Sequence, residues 1–164
     1  MPLNKLFPAL LRIGLGWIFL WAFLDKVFGW GFATEAGKSW LDGVSPTAGF
    51  LLHGTNGPFS SFFMSLAGQG WVDWLFMLGL LGIGTALILG IFNRIAGTMG
   101  ALLVVLMFLA ASMPPLHNPL IDEHIIYALL GLWIALEPAR FNAISFARKW
   151  SKMPMVMKRS KWLT

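Results

Sequence analysis

From Leu6 to Leu24 the chain runs nineteen residues with a single charge, Arg12, and that run and its repetition constrain the fold most. As helix, such a run covers roughly 28 Å, the thickness of a hydrocarbon core. A second run extends from about Trp71 to Phe92, with Asp73 in its first turn, and a third from Ile95 to Met113 with no charge. In lipid a segment must satisfy its own backbone N–H and C=O groups, so each run is expected to be a membrane helix. A basic start before an apolar run also fits a signal peptide. No small-x-small cleavage pattern follows Leu24, however, and the run is long for the apolar part of a leader. The first segment is therefore expected to be a retained helix ending at Asp25-Lys26. Composition agrees with one membrane domain: 57% of the 164 residues are hydrophobic and 12% charged, about half the usual share for a soluble domain.

Connections set the topology. Asn93-Arg94 alone joins the second and third runs, which requires an antiparallel hairpin, and Met113-Pro114-Pro115 ends the third. Gly82, Ala86 and Gly90, then Gly97 and Ala101, fall at the four-residue spacing that lets membrane helices approach closely. Only twelve uncharged residues separate His124 from Glu137, so a fourth span, 119–137, requires a helix that starts at Pro119 with Asn118 as its cap. Residues 25–69 interleave aromatics with Gly, Pro and Ser. They read as interfacial helices and turns that either cap the bundle or rest on lipid. Residues 138–164 hold seven Lys/Arg and no acid, against five bases and seven acids in 1–137. That pattern predicts a basic amphipathic tail on an anionic membrane surface, and it makes nucleic acid a poor partner. The expected fold is an all-α integral membrane protein: a four-transmembrane-helix bundle, residues 1–137, plus the 138–164 tail. By the distribution of basic residues, both termini are expected to be cytoplasmic in a multi-pass plasma-membrane protein.

The ionisable residues outside the tail gather at the other end. His117-Asn118-Pro119-Leu120-Ile121-Asp122-Glu123-His124-Ile125-Ile126-Tyr127 puts two acids and two histidines into eleven residues, more than capping a helix requires. The absence of cysteine excludes disulfides, thiolate metal sites, iron–sulfur ligation and thiol redox relays. No spacing among His53, His117 and His124 matches a zinc or haem signature, and no metal is expected.

Several stretches resemble DoxX/DoxD-type membrane proteins. They are Leu11-Arg12-Ile13-Gly14-Leu15-Gly16-Trp17-Ile18-Phe19 with Asp25-Lys26, Gly31-Phe32-Ala33-Thr34, Ser45-Pro46-Thr47-Ala48-Gly49-Phe50, Gly57-Pro58-Phe59, Val72-Asp73-Trp74-Leu75-Phe76-Met77-Leu78-Gly79 and Asn118-Pro119-Leu120-Ile121-Asp122-Glu123-His124. The resemblance covers roughly residues 6–137. It implies a four-helix protein similar to the large, quinone-reactive subunit of thiosulfate:quinone oxidoreductase, which couples thiosulfate to tetrathionate.

On that reading quinone is the electron acceptor, and its reduction needs proton donors beside a flat apolar slot. Asp122, His124 and Tyr127 are the catalytic candidates. Lys26, Asp25, Asp73 and Asn118 are the substrate-binding candidates, with Lys26 as the cation for thiosulfate. The competing reading makes Lys26 the counter-ion of Asp25, Asp73 or Asp122. Arg12 is expected to form a structural ion pair with Glu137 across the opposite end. A non-catalytic subunit of a larger respiratory complex is the alternative function. A permease ranks below both, because no inverted repeat or midplane charge pair is visible.

Overall fold

A computed structural model describes residues 2–111, 113, 115 and 120–146 of the protein. His117, Asn118, Pro119 and the tail from Ala147 lie outside the described residues. Helix α1 (Leu3–Phe28) is followed by a π-helical turn (Phe50–Gly54), α2 (Ser60–Ser65), α3 (Gly70–Leu89), α4 (Asn93–Ala111), α5 (Glu123–Leu136) and α6 (Pro138–Phe141). No strand occurs among the described residues. Three of the described helices, α1, α3 and α4, are long and apolar enough to cross a membrane. Their outward faces are apolar as well: Leu75, Leu78 and Leu102 are each more than half exposed, as is Leu129 on α5. A bilayer is the solvent that suits such a surface.

Glycine sets how closely the helices approach. Helices α1 and α3 run antiparallel, with Gly16 against Leu87 and Ile88 and Gly84 against Leu20. A Cβ on Gly84 would stand 2.6 Å from the Leu20 nitrogen, and one on Gly16 would stand 2.9 Å from the Ile88 nitrogen. Gly97 and Gly131 bring α4 and α5 together in the same way, and a Cβ on Gly131 would lie 2.8 Å from the Gly97 oxygen. The Gly97 side of the expected stripe therefore lies in an interface. Gly82 does not, since nothing lies within 4 Å of its would-be Cβ. The contact residue of α3 is Gly84, two positions on, which is about 200° around a helix of 3.6 residues per turn. Gly90 plays a different part, ending α3 in the left-handed conformation with φ 70°. Leu15, Phe19, Met77, Leu87, Val104 and Ile134 fill the space between the helices.

Arg12 overturns an expectation. It is fully buried, and its Nε donates to the Phe141 oxygen at 3.1 Å. Its Nη1 donates to the Leu87 and Ile88 oxygens, and its Nη2 to the Ile144 oxygen. The expected partner, Glu137, pairs instead with Arg140 at 2.8 Å. Helix α3 ends beside Arg12, and the last carbonyls of a helix are both unsatisfied and electronegative. They attract a guanidinium without any carboxylate. The segment after α5 is fastened by the same contacts: Phe141 is fully buried in the main core, and the Phe146 N–H donates to the Leu89 oxygen at 2.8 Å. Residues 138–146 thus pack against the bundle, so the boundary expected at 137 does not separate them from it.

Helix α5 also begins later than expected, at Glu123, with residues 120–122 non-helical. Asp122 is its cap and accepts from the His124 and Ile125 N–H groups. An aspartate in extended conformation satisfies the first-turn donors and fixes the start there.

Candidate functional site at one mouth of the bundle

The antiparallel order brings the end of α1, the start of α3, the end of α4 and the start of α5 to one mouth. The 25–69 connection is tied across it at three places. The Trp40 N–H donates to the Lys26 oxygen at 2.8 Å, satisfying a carbonyl at the end of α1. Ser45 and Thr47 donate their hydroxyls to Asp73 Oδ1 in the first turn of α3, Ser45 at 2.8 Å. Asn56 donates from its backbone to the Ala110 oxygen at 2.9 Å and from its amide to the Ala111 oxygen at 2.6 Å, closing the end of α4. Trp40 meets Trp74 edge to face, with centroids 4.7 Å apart. The connection is thus tied by hydrogen bonds to the ends of α1, α3 and α4.

These anchors occupy two of the candidate acids. Asp25 is 1% exposed, and its Oδ2 accepts from the Ala33 and Thr34 N–H groups at 2.9 and 2.8 Å. Its Oδ1 accepts from the Phe32 N–H at 3.3 Å. Asp25 therefore holds the turn that follows α1, and that turn brings Trp30 and Phe32 against Trp21. Asp73 is bound by the two hydroxyls. Asp42 works the same way on the cap: the Ser39 hydroxyl and N–H hold its carboxyl below the usual aspartate range.

Lys26 is left without a carboxylate at ion-pair distance among the described residues. Its ammonium stands 6.0 Å from the centroid of the Phe76 ring, and the Asp25 charge reaches it only through space. No ion pair joins it to Asp25, Asp73 or Asp122 among the described residues, and of the three expected counter-ions Asp25 is the one whose charge acts on it. Lys38, the other lysine of this end, is exposed and pairs with Glu35 at 2.7 Å. The hydrogen bond and the opposite charge raise the Lys38 pKa and lower that of Glu35.

The second cluster is local to α5. Asp122 Oδ1 accepts the His124 N–H at 3.0 Å, while Oδ2 lies 2.8 Å from His124 Nδ1. Both side chains are mostly buried, 12% and 18% exposed. A carboxylate on Nδ1 orients the imidazole and favours the tautomer that places the proton there, which leaves Nε2 as the nitrogen that exchanges protons with a ligand. Tyr127, one turn on, packs its ring against the main core beside the same cluster as Phe76 and Trp40. The structure thus sets Asp122 with His124, and Asp73 with the cap, but does not join the two groups by an ion pair to Lys26. Asn118 lies outside the described residues. His53 belongs to the π-helical turn. Ser45, Thr47 and Asn56 were not among the expected site residues, and the Ser-Pro-Thr turn signature was their only local mark. Comparison with protein-family models, curated proteins and solved structures gives no match to this chain.

Proposed function

We propose that the protein is a four-span subunit of a quinone-linked membrane oxidoreductase that takes a small sulfur oxyanion, thiosulfate, at this mouth. The Asp122–His124 pair is the observation that carries the reading. Two thiosulfates joined through a new sulfur–sulfur bond release two electrons as tetrathionate. A quinone that accepts them also takes up two protons, one on each oxygen. His124, oriented by Asp122 through Nδ1, is the group that hands on protons, with Tyr127 as the second hydroxyl near the core. Lys26 supports the anion half of the reading, because its half-buried ammonium has no ion-pair partner among the described residues and feels only the Asp25 charge through space, which leaves it able to take an anion. The resemblance to DoxX/DoxD-type proteins points to the same chemistry. In this reading α5 and the residues before it form the fourth span, the termini are cytoplasmic, and the mouth faces out of the plasma membrane.

The test is thiosulfate-dependent quinone reduction by the purified protein. Asparagine keeps the capping acceptor that α5 needs, so Asp122→Asn removes charge while preserving the helix start. Turnover is expected to fall at least about tenfold, within the range of general acid–base contributions. Lys26→Ala is expected to raise the thiosulfate concentration required more than it lowers the maximal rate. Full activity in a folded Asp122→Asn protein removes the proton-handling assignment. Asp25 and Asp73 are committed to holding the cap, which favours a second reading as an accessory subunit. No activity in the wild type, with respiratory subunits copurifying, supports that reading.

A further inference from the structure

The opposite end of the bundle carries a cleft of about 770 Å³ between the first turn of α1 and α6, lined by Pro2, Asn4, Lys5, Ala139, Arg140, Asn142 and Ala143. Its position follows from the periodicity of α1. Pro8, Ala9 and Arg12 form the buried face of that helix, and Lys5 is the next residue of the same face toward the amino terminus. There the face runs past its packing partners, and an open space with a part polar, part apolar wall takes their place.

Two cations border that space. Lys5 is exposed and has no carboxylate at ion-pair distance among the described residues. Arg140 pairs with Glu137 across an exposed surface, an interaction that holds weakly against solvent, and its guanidinium lies 5.9 Å from the Trp133 ring. Asn4 and Asn142 add amide donors, and the first turn of α1 has no side-chain cap on its free N–H groups. Each of these features favours an anion. Depth narrows its identity. Helix α1 has 26 residues, about 39 Å at 1.5 Å per residue, more than the hydrocarbon core needs. The charge of Lys5 puts that surplus at this end, with the first turn at headgroup level, and the exposed Phe7 and Leu11 on the other face continue into the apolar layer. Residues 147–164 add six bases and no acidic side chain, so they offer the cleft no carboxylate side chain.

We propose that this cleft is a headgroup site for an anionic glycerophospholipid, with the phosphate between Lys5 and Arg140. The experiment uses the purified full chain in detergent, with phosphatidylglycerol, phosphatidylcholine or inorganic phosphate added and bound lipid counted by native mass spectrometry. Retention of phosphatidylglycerol but not phosphatidylcholine is expected. Lys5→Gln with Arg140→Gln is expected to reduce that retention about tenfold or more, given what each base contributes at an anionic surface. Arg94→Gln removes a base from the same end outside the cleft and is expected to leave retention unchanged. Ala139→Trp keeps both charges, fills the cleft and is expected to abolish retention, so it decides the matter if the double variant does not fold. Unchanged retention in the double variant or in Ala139→Trp overturns the site. So does an equal loss in Arg94→Gln, which would mean diffuse surface charge. Competition by inorganic phosphate at matching concentration would make it a free-phosphate site and overturn the lipid assignment.

Discussion

Arg12 holds the closed end of the bundle together. Its guanidinium bridges carbonyls at the end of α3 to carbonyls of residues 141 and 144, and Gly90 leaves it room, since a Cβ there would sit 2.8 Å from Nη1. Arg12→Met is expected to strand these buried oxygens, at a cost of about 1–3 kcal/mol for each one left unsatisfied. Thermal unfolding in detergent measures the loss, and faster hydrogen exchange at the Phe146 N–H locates it. Lysine should rescue only in part, because an ammonium lacks the planar fork that spans two segments. Equal stability of the wild type and Arg12→Met would dismiss the bridge. On the cap, Asp42 gives a pH signature. Its folded pKa lies below the ordinary value of 3.8, so its contribution is present above that value and disappears as pH falls through the folded pKa. Protection of the Ser39 N–H, which Asp42 accepts at 2.9 Å, relative to the intrinsic exchange rate at each pH, should be the same at pH 5 as at pH 7 and fall only below the ordinary aspartate range. Loss of protection already at pH 5 would contradict the shift. Asp122 and His124 were legible in the chain as candidates, but residues two apart within a helix do not face each other, and their contact depends on Asp122 standing outside α5 as its extended cap. The bonds from Ser45 and Thr47 to Asp73 span 28 and 26 positions and had no such local signal.

At the level of helices, the bundle is built from two glycine seams, Gly16/Gly84 and Gly97/Gly131. Leucine at Gly84 or Gly131 has to push against a neighbouring backbone, whereas leucine at Gly82 meets open space. The first two are expected to lose about 1–3 kcal/mol, the usual cost of overpacking, and Gly82→Leu close to nothing. Detergent melting of the three variants is the check, and an equal loss at Gly82 would place that residue inside an interface. Four-residue spacing marks only Gly82, Ala86 and Gly90, whereas Gly84 has Leu80 and Ile88 at that spacing, so the pattern pointed away from the side that faces α1. Packing chose Gly84, because its partner Leu20 presents backbone there.

For the whole molecule, the antiparallel order puts the cap and the Asp122–His124 pair at one end and Arg12, Arg94 and α6 at the other. If the membrane lies across α1, α3 and α4, these ends face different compartments. The chain has no cysteine, so single cysteines report without background. Lys38→Cys on the cap is expected to react with an impermeant thiol reagent in intact cells, and Arg94→Cys and Ser160→Cys only after the cells are opened. Arg94 is the exposed position of this turn, whereas the neighbouring Asn93 is 1% exposed and donates its amide to Asn142 at 2.6 Å. Reaction at both Lys38→Cys and Arg94→Cys in intact cells would remove the proposed topology.

Three membrane-length helices and the tight link between two of them are legible in the chain alone. Long uncharged runs have to close their own hydrogen bonds in lipid, a two-residue link leaves only an antiparallel hairpin, and the acids and histidines cluster at one end by their order in the chain. Tertiary structure alone decided the partners. Whether Arg12 meets Glu137 or the end of α3, whether Asp25 faces Lys26 or the turn at 32–34, and which glycine of α3 is crowded all depend on helix rotation and loop position. Those are set by packing between residues far apart in the chain, where no spacing rule reaches. The same packing leaves the Lys26 ammonium without a carboxylate at ion-pair distance among the described residues, and the cleft at Lys5 and Arg140 open.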